Sequence, residues 1–164
     1  MVEIFEDRME ITNPCRPLVD TWRFVDNPPH SCNEALASLM RRLGICEERG
    51  SGIDKVVEVV ELHPLPAPRF EAPDGFTRAV LFAHKALTTM DKEERVRACY
   101  LHACLKRVMN EYLTNASLRE RFGVEAKNKA AISRYIREAL DEEVIRVFDA
   151  DAAKKSMKYV PFWA

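Results

Sequence analysis

Three groups of residues in this 164-residue chain have the types and spacing to do chemistry. The first is Cys99-x-x-His102-x-Cys104, two thiols and an imidazole close enough in sequence to suggest a transition metal. On a helix Cys99 and His102 share a face, but Cys104 points elsewhere and no fourth ligand follows at a suitable spacing, so no metal is expected. Buried thiols beside a partly exposed histidine are the expectation instead. The second group is the run EERGSGI from Glu47 to Ile53, which sets two glycines at the start of a helix. Free N–H groups and the positive end of the helix dipole could hold an anion there, although a GxG turn often means only a tight turn. The third is a set of cations and small polar side chains from Lys127 to Arg137, of the kind that binds phosphates and base edges. No Ser–His–Asp arrangement or spaced carboxylate pair emerges, and no residue is assigned a catalytic role.

The third group is positioned by the stretch from Ser117 to Ile145. It reads as a helix, a tight turn at Gly123 and a second helix, followed by a short strand (Val144 to Phe148), a polar tip and another strand (Met157 to Phe162). That order is the signature of a winged helix–turn–helix, whose second helix commonly enters the major groove of DNA. Ser117 and Glu120 fit a capping box at the start of the first helix. In the second, Ile132, Tyr135, Ile136, Ala139 and Leu140 gather on one side at helical spacing. Ala130, Arg134, Arg137 and Asp141 occupy the other side, with Asn128 and Ser133 near the flanks and Lys127 just ahead.

Charge along this helix runs one way. Lys127, Lys129, Arg134 and Arg137 come early, whereas Glu138, Asp141, Glu142 and Glu143 come late. The helix macrodipole favours the reverse, so something other than helix stability is at work, and DNA phosphates are the economical candidate. Lys154, Lys155 and Lys158 would lie in the wing, against the DNA backbone, with Asp149 and Asp151 in the same loop opposing them.

Upstream, the chain mixes strands and helices. Val2 to Phe5 and Arg8 to Thr12 read as a hairpin joined at Glu6-Asp7. Asn33 can cap a helix from Glu34 to Leu43 whose apolar face is Ala35, Leu36, Leu39, Met40 and Leu43, and Gly44 stops it. A second helix from Ser51-Gly52 turns Ile53, Val56, Val57 and Val60 inward. Phe70 and the run Phe76 to Phe82 flank a Pro73-Asp74-Gly75 turn and read as a closing hairpin. From Asp91 to about Tyr112 a long helix shows two apolar stripes: Val96, Cys99, Tyr100 and Ala103 on one, Leu101, Cys104, Leu105, Val108 and Tyr112 on the other. One stripe packs a small C-terminal core. The other meets the first domain or a second copy of the chain, unless the helix is simply buried on two sides of one domain.

Composition agrees with a globular protein: 47% hydrophobic and 31% charged residues, with a net charge of −1. From Asp91 onward there are 15 Lys/Arg against 12 Asp/Glu, a modest excess for a DNA binder, while the first 90 residues carry 10 against 14. Five cysteines (Cys15, Cys32, Cys46, Cys99, Cys104) without paired spacing point to reduced thiols. With no membrane-length apolar run and no signal peptide, a soluble cytoplasmic protein is expected. Tyr159, Phe162 and Trp163 are expected to anchor a core rather than stack on bases.

The segments VEIFEDRMEITNP, LASLMRRLG followed by EERGSGI, PRFEAPDGF, and the end YVPFWA resemble RecG-related transcriptional regulators, proteins often labelled ATP-dependent DNA helicase-like. The resemblance spans most of the chain, and ERGSGI and YVPFWA are its most specific elements. It implies the C-terminal part of an ATPase-like domain related to the GHKL group, followed by a winged helix. It also implies that Gly50, Ser51 and Gly52 are the positions that could contact a nucleotide. The chain departs from the family in having Asn13-Pro14-Cys15 where NPG is usual, and in beginning inside the ATPase-like domain, past the helix whose Asn would hold Mg²⁺. No Walker A sequence GxxxxGK[ST] is present.

The expectation is therefore an α+β protein: a partial ATPase-like α/β piece at residues 1–86 and a winged helix–turn–helix domain at 90–164. It acts as a DNA-binding transcriptional regulator, as a homodimer on double-stranded DNA, with no membrane partner. Lys127, Asn128, Lys129, Ser133, Arg134, Arg137, Lys154, Lys155 and Lys158 are the DNA-binding candidates. No metal or cofactor is required, ATP being a ligand at most of a full-length protein. The rival readings are a nucleotide-binding ATPase using the ERGSGI turn, or a winged-helix module that binds protein.

Overall fold

Met9 and Ile11 alternate with Arg8, Glu10 and Thr12, the period of a strand with one apolar face. In the computed structural model, which describes residues 1–28, 30–45, 52–73, 75–149, 151, 153 and 157–164, this segment is β2 (Arg8–Asn13). It pairs with β1 (Val2–Ile4) on one side and β4 (Thr77–Phe82) on the other, and β3 (Arg69–Glu71) closes an antiparallel sheet of order β1-β2-β4-β3. The register sets Glu10 opposite Val80 and Arg69 opposite Val80 in turn. Both expected hairpins are present, joined into one sheet.

Between the hairpins lie α1 (Glu34–Arg42) and α2 (Gly52–Leu62). Asn33 caps α1 as expected, accepting from the Leu36 N–H at 3.0 Å. Gly44 ends it at φ +69°, a left-handed conformation that only glycine adopts at little cost. The expected apolar stripe of α1 is not a core face, however: Leu36, Leu39 and Leu43 are all more than half exposed. Periodicity reports that a face is apolar, not what covers it. In α2, Val57 and Val60 are buried.

Residues 92–108 form α3 (Lys92–Val108), opened by a capping box between Asp91 and Glu94. Nine of its residues are buried, including every position from Ala98 to Leu105. Cys99 and Ala103 enter a core with Leu113, Leu118, Ile132, Tyr135, Ile136, Ala139 and Ile145. Ala98, Tyr100, Leu101, Cys104 and Leu105 enter a second core with Val25, Val57 and Ala67. The two expected stripes are thus real, and the second meets the N-terminal elements. Tyr100 belongs to that second stripe rather than the first, and Val108 is exposed.

Next come α4 (Asn115–Arg121), a 3-10 turn at Ala126–Asn128, α5 (Lys129–Asp141), and the hairpin β5 (Ile145–Val147) and β6 (Tyr159–Pro161). The cap of α4 is Thr114, not Ser117. Thr114 accepts from the Ser117 N–H at 3.1 Å, and the Ser117 hydroxyl accepts from the Thr114 N–H at 3.0 Å. Ser117 is the third helical residue of a reciprocal box that sequence spacing placed one turn too late. Gly123 makes the turn after α4 at φ +62°. Leu113 pairs with Tyr159 in both directions, at 3.1 and 2.9 Å, a single rung that holds the hairpin to the segment before α4.

A polar cluster joins α2 to α3 and α4. His102 Nδ1 lies 2.8 Å from Glu61 Oε2, and His102 Nε2 lies 3.1 Å from the Ser117 hydroxyl. An ionised carboxylate only accepts, which places a proton on Nδ1. Arg121 Nε is 3.3 Å from Glu61 Oε1, and Arg121 Nη2 donates to the Leu65 carbonyl at 3.3 Å. Both His102 and Arg121 are buried, so the expectation of a partly exposed histidine is corrected. Burial holds the Arg121 guanidinium below its ordinary value, opposed by the Glu61 charge. Removing the shared carboxylate would strand a cation away from water. Glu61→Ala should therefore cost about 3 kcal/mol, read as a lower urea midpoint at unchanged m-value.

Candidate nucleic-acid interface

The buried side of α5 (Ile132, Tyr135, Ile136, Ala139) is as expected and fixes what the other side presents. Lys129, Ala130, Ser133, Arg134, Arg137 and Asp141 are exposed. Lys127 and Asn128 precede them in the 3-10 turn, also exposed. The structure thus brings Lys127 to Arg137 together on one end of one helix. Lys127 pairs with Glu125 at 2.6 Å on the open surface, a contact that water screens. The Arg134 guanidinium lies 5.5 Å from the Tyr135 ring centroid. No carboxylate among the described residues pairs with Lys129, Arg134 or Arg137.

The acidic end of α5 has a structural explanation. Glu138 receives two hydrogen bonds from Arg95 at 2.9 and 3.1 Å, and Glu142 pairs with Lys92. Both partners lie at the start of α3, and the Glu138 hydrogen bond raises Arg95 above its ordinary value. Packing against α3 therefore accounts for Glu138 and Glu142 without recourse to a ligand. At the basic end, Lys129, Arg134 and Arg137 have no carboxylate partner among the described residues.

Asn115 is a positioning residue that the sequence reading missed. Its Nδ2 donates to the Lys129 carbonyl at 3.2 Å and to the Ser133 hydroxyl at 3.0 Å, while its Oδ1 accepts from Arg119 Nε at 3.2 Å. It pins the start of α5 to α4. The signal was the Thr114-Asn115 pair, passed over because the helix start was placed at Ser117. Ser133 also donates to the Lys129 carbonyl at 3.2 Å, so its hydroxyl is already engaged.

In the hairpin, Lys158 is exposed with its Nζ 4.7 Å from the Tyr112 ring centroid. Lys154 and Lys155 lie outside the described residues, as do Gly50, Ser51 and Cys46. Gly52, the remaining candidate of the glycine turn, is the exposed first residue of α2, and a Cβ added there would meet nothing within 4 Å. No described group of three or more His, Cys, Asp and Glu side chains is placed to hold a metal. Of the terminal aromatics, Tyr159 and Trp163 pack against the two cores, whereas Phe162 is exposed; Trp163 Nε1 donates to the Tyr100 hydroxyl at 3.1 Å, and Arg23 stacks on the Trp163 ring at 4.5 Å. No helix among the described residues is long and apolar enough to cross a membrane.

Residues 1–81 match the family model described as "Putative ATP-dependent DNA helicase recG C-terminal". The matched stretch runs from β1 into β4, through both α1 and α2. No curated protein matches the chain. Among solved structures, the DIP2311 protein from Corynebacterium diphtheriae is similar over 94% of this chain at 13% identity, with a TM-score of 0.40. The chain spans 44% of that protein's length, and a likeness of this degree bears no weight on fold or function.

The Cys99–His102–Cys104 run has a separate physical outcome. Cys99 and Cys104 are fully buried, and desolvation pushes both thiols up to about 12. Cys15 and Cys32 are exposed. Iodoacetamide at neutral pH should alkylate Cys15 and Cys32 in the native protein and leave Cys99 and Cys104 unmodified until denaturant is added, as read by peptide mass mapping.

Proposed function

We propose that this chain, whose residues 1–81 are a RecG-related ATPase-like region, binds double-stranded DNA through a winged helix at residues 90–164 and serves as a transcriptional regulator. The order α3, Leu113 rung, α4, turn, α5, β5, β6 is the order of that module, and it supports the reading. The observation that carries the proposal is the basic end of α5, exposed and without internal carboxylate partners at Lys129, Arg134 and Arg137. A helix held at its other end by Arg95 and Lys92 presents this end outward.

In this reading Arg134 and Arg137 reach base edges in the major groove, with Asn128 beside them. Lys127, Lys129 and Lys158 contact phosphates, and Lys154 and Lys155 would extend those contacts along the wing. Ser133 contributes less, because Asn115 and the Lys129 carbonyl already occupy its hydroxyl.

A second reading is favoured by the family match: a nucleotide held at the start of α2 by Gly50, Ser51 and Gly52. Calorimetry with ATP and Mg²⁺ separates it from the first, since binding abolished by Gly52→Val would support the nucleotide reading. For the DNA reading, the Arg134→Ala, Arg137→Ala double variant is titrated against a mixed duplex pool at two salt concentrations. Each arginine should be worth about 1–3 kcal/mol, so affinity should fall at least about tenfold. Lys158→Ala should weaken all duplexes alike and reduce the salt slope by about one. Unchanged affinity of the double variant at both salts would sink the assignment.

A further inference from the structure

Arg119 belongs to the last turn of α4, but its guanidinium is not held there. A helical side chain leans toward the N-terminus of its helix. Arg119 Nε accordingly donates to Oδ1 of Asn115, the first residue of α4, at 3.2 Å. The helix dipole favours a cation over the last turn and disfavours one over the first, so it does not account for this placement. Among the described residues no carboxylate pairs with Arg119, and nothing accepts from its two terminal nitrogens. The residue is half-buried. It is a cation fixed at one nitrogen and left without a counter-charge.

Asn115 ties this cation to α5. The same amide that accepts from Arg119 donates to the Lys129 carbonyl at 3.2 Å and to the Ser133 hydroxyl at 3.0 Å. Ser133 donates in turn to that carbonyl at 3.2 Å, which closes the network on the first turn of α5. The Arg119 guanidinium is thus one side chain away from the turn that Lys129 opens. Both Lys129 and Arg119 lack a carboxylate partner among the described residues, one on each helix of the pair.

The free part of Arg119 has a definite chemistry. With Nε engaged, the two terminal nitrogens remain as a planar fork, which matches two oxygens of a phosphate. In a helix–turn–helix the first helix crosses the DNA backbone while the second lies in the groove. An arginine that the first helix holds beside the second therefore faces phosphate rather than base edges. Such a contact carries no sequence information, but it fixes the register in which the second helix sits.

We propose that Arg119 clamps a phosphate of the DNA backbone where α4 crosses α5, and that Asn115 is the positioning residue that aligns this clamp with the first turn of α5. The proposal rests on the DNA reading and extends it to α4, a helix that the charge pattern of α5 does not touch.

The test follows the anisotropy of a labelled mixed duplex pool titrated with the full chain over a series of salt concentrations. Arg119→Gln should weaken binding to all duplexes alike and reduce the slope of log affinity against log salt by about one. Arg119→Lys keeps the charge and should keep the slope. Asn115→Ala should also lower the slope by about one in the parent chain, but leave it unchanged in an Arg119→Gln background. A purely structural role for Asn115 would lower affinity equally in both backgrounds without moving the slope, and that result overturns the positioning role. Circular dichroism checks the folding of each variant. If Asn115→Ala does not fold, Arg119→Gln still decides, because Asn115 is the hydrogen-bond partner it loses. If the parent chain binds duplex through Arg134 and Arg137 while Arg119→Gln keeps the parent affinity and slope, the phosphate clamp is overturned and the DNA reading stands. Absence of duplex binding by the parent chain overturns both.

Discussion

The fold depends on the burial of α3 along two sides. A helix with every position from Ala98 to Leu105 out of water has no solvent face through its middle, so opposite sides must be covered by separate sets of residues. Cys99 and Ala103 are covered by α4, α5 and β5; Tyr100, Leu101, Cys104 and Leu105 are covered by α2 and the loops around Val25 and Ala67. Each fully buried large side chain contributes roughly 1.5–3 kcal/mol, so neither set of contacts is dispensable. The polar cluster of Glu61, His102, Ser117 and Arg121 fixes the angle between the two halves. Apolar packing alone tolerates sliding, whereas a buried charge pair does not.

Much of this arrangement was legible in the residues. The two stripes of α3, the inward face of α5, the Asn33 cap, the Gly44 and Gly123 turns and both hairpins follow from period and turn chemistry. What was not legible has a common cause: it depends on partners distant in sequence. Tyr100 changed sides because its hydroxyl donates to the Trp22 carbonyl and its ring packs on Trp22. His102 is buried because Glu61, on another helix, supplies the acceptor. The apolar side of α1 looks the same in sequence whether it is covered or open. The α4 cap was misplaced for a local reason: Thr-x-x-Ser and Ser-x-x-Glu both fit the capping pattern, and the N-terminal one won.

The candidate interface was read more sharply in its basic half than in its acidic half. The reversed charge gradient of α5 looked like one signal with one cause, but the structure divides it. Glu138 and Glu142 are accounted for by Arg95 and Lys92 at the start of α3. The basic end carries the whole weight of the DNA reading, and it does so on fewer residues than the gradient suggested. Asn115, absent from any charge pattern, turns out to hold α5 against α4 through two hydrogen bonds, to the Lys129 carbonyl and the Ser133 hydroxyl.

The hydrogen bond from Trp163 to Tyr100 ties together residues 63 positions apart, with α4, α5 and the β5–β6 hairpin threaded between them. It closes a long loop in which α4, α5 and the hairpin all lie. In kinetic terms this is a late, non-local contact with a large entropic cost of closure. The bond thereby couples the segment that follows the β5–β6 hairpin directly to the second core, through Tyr100.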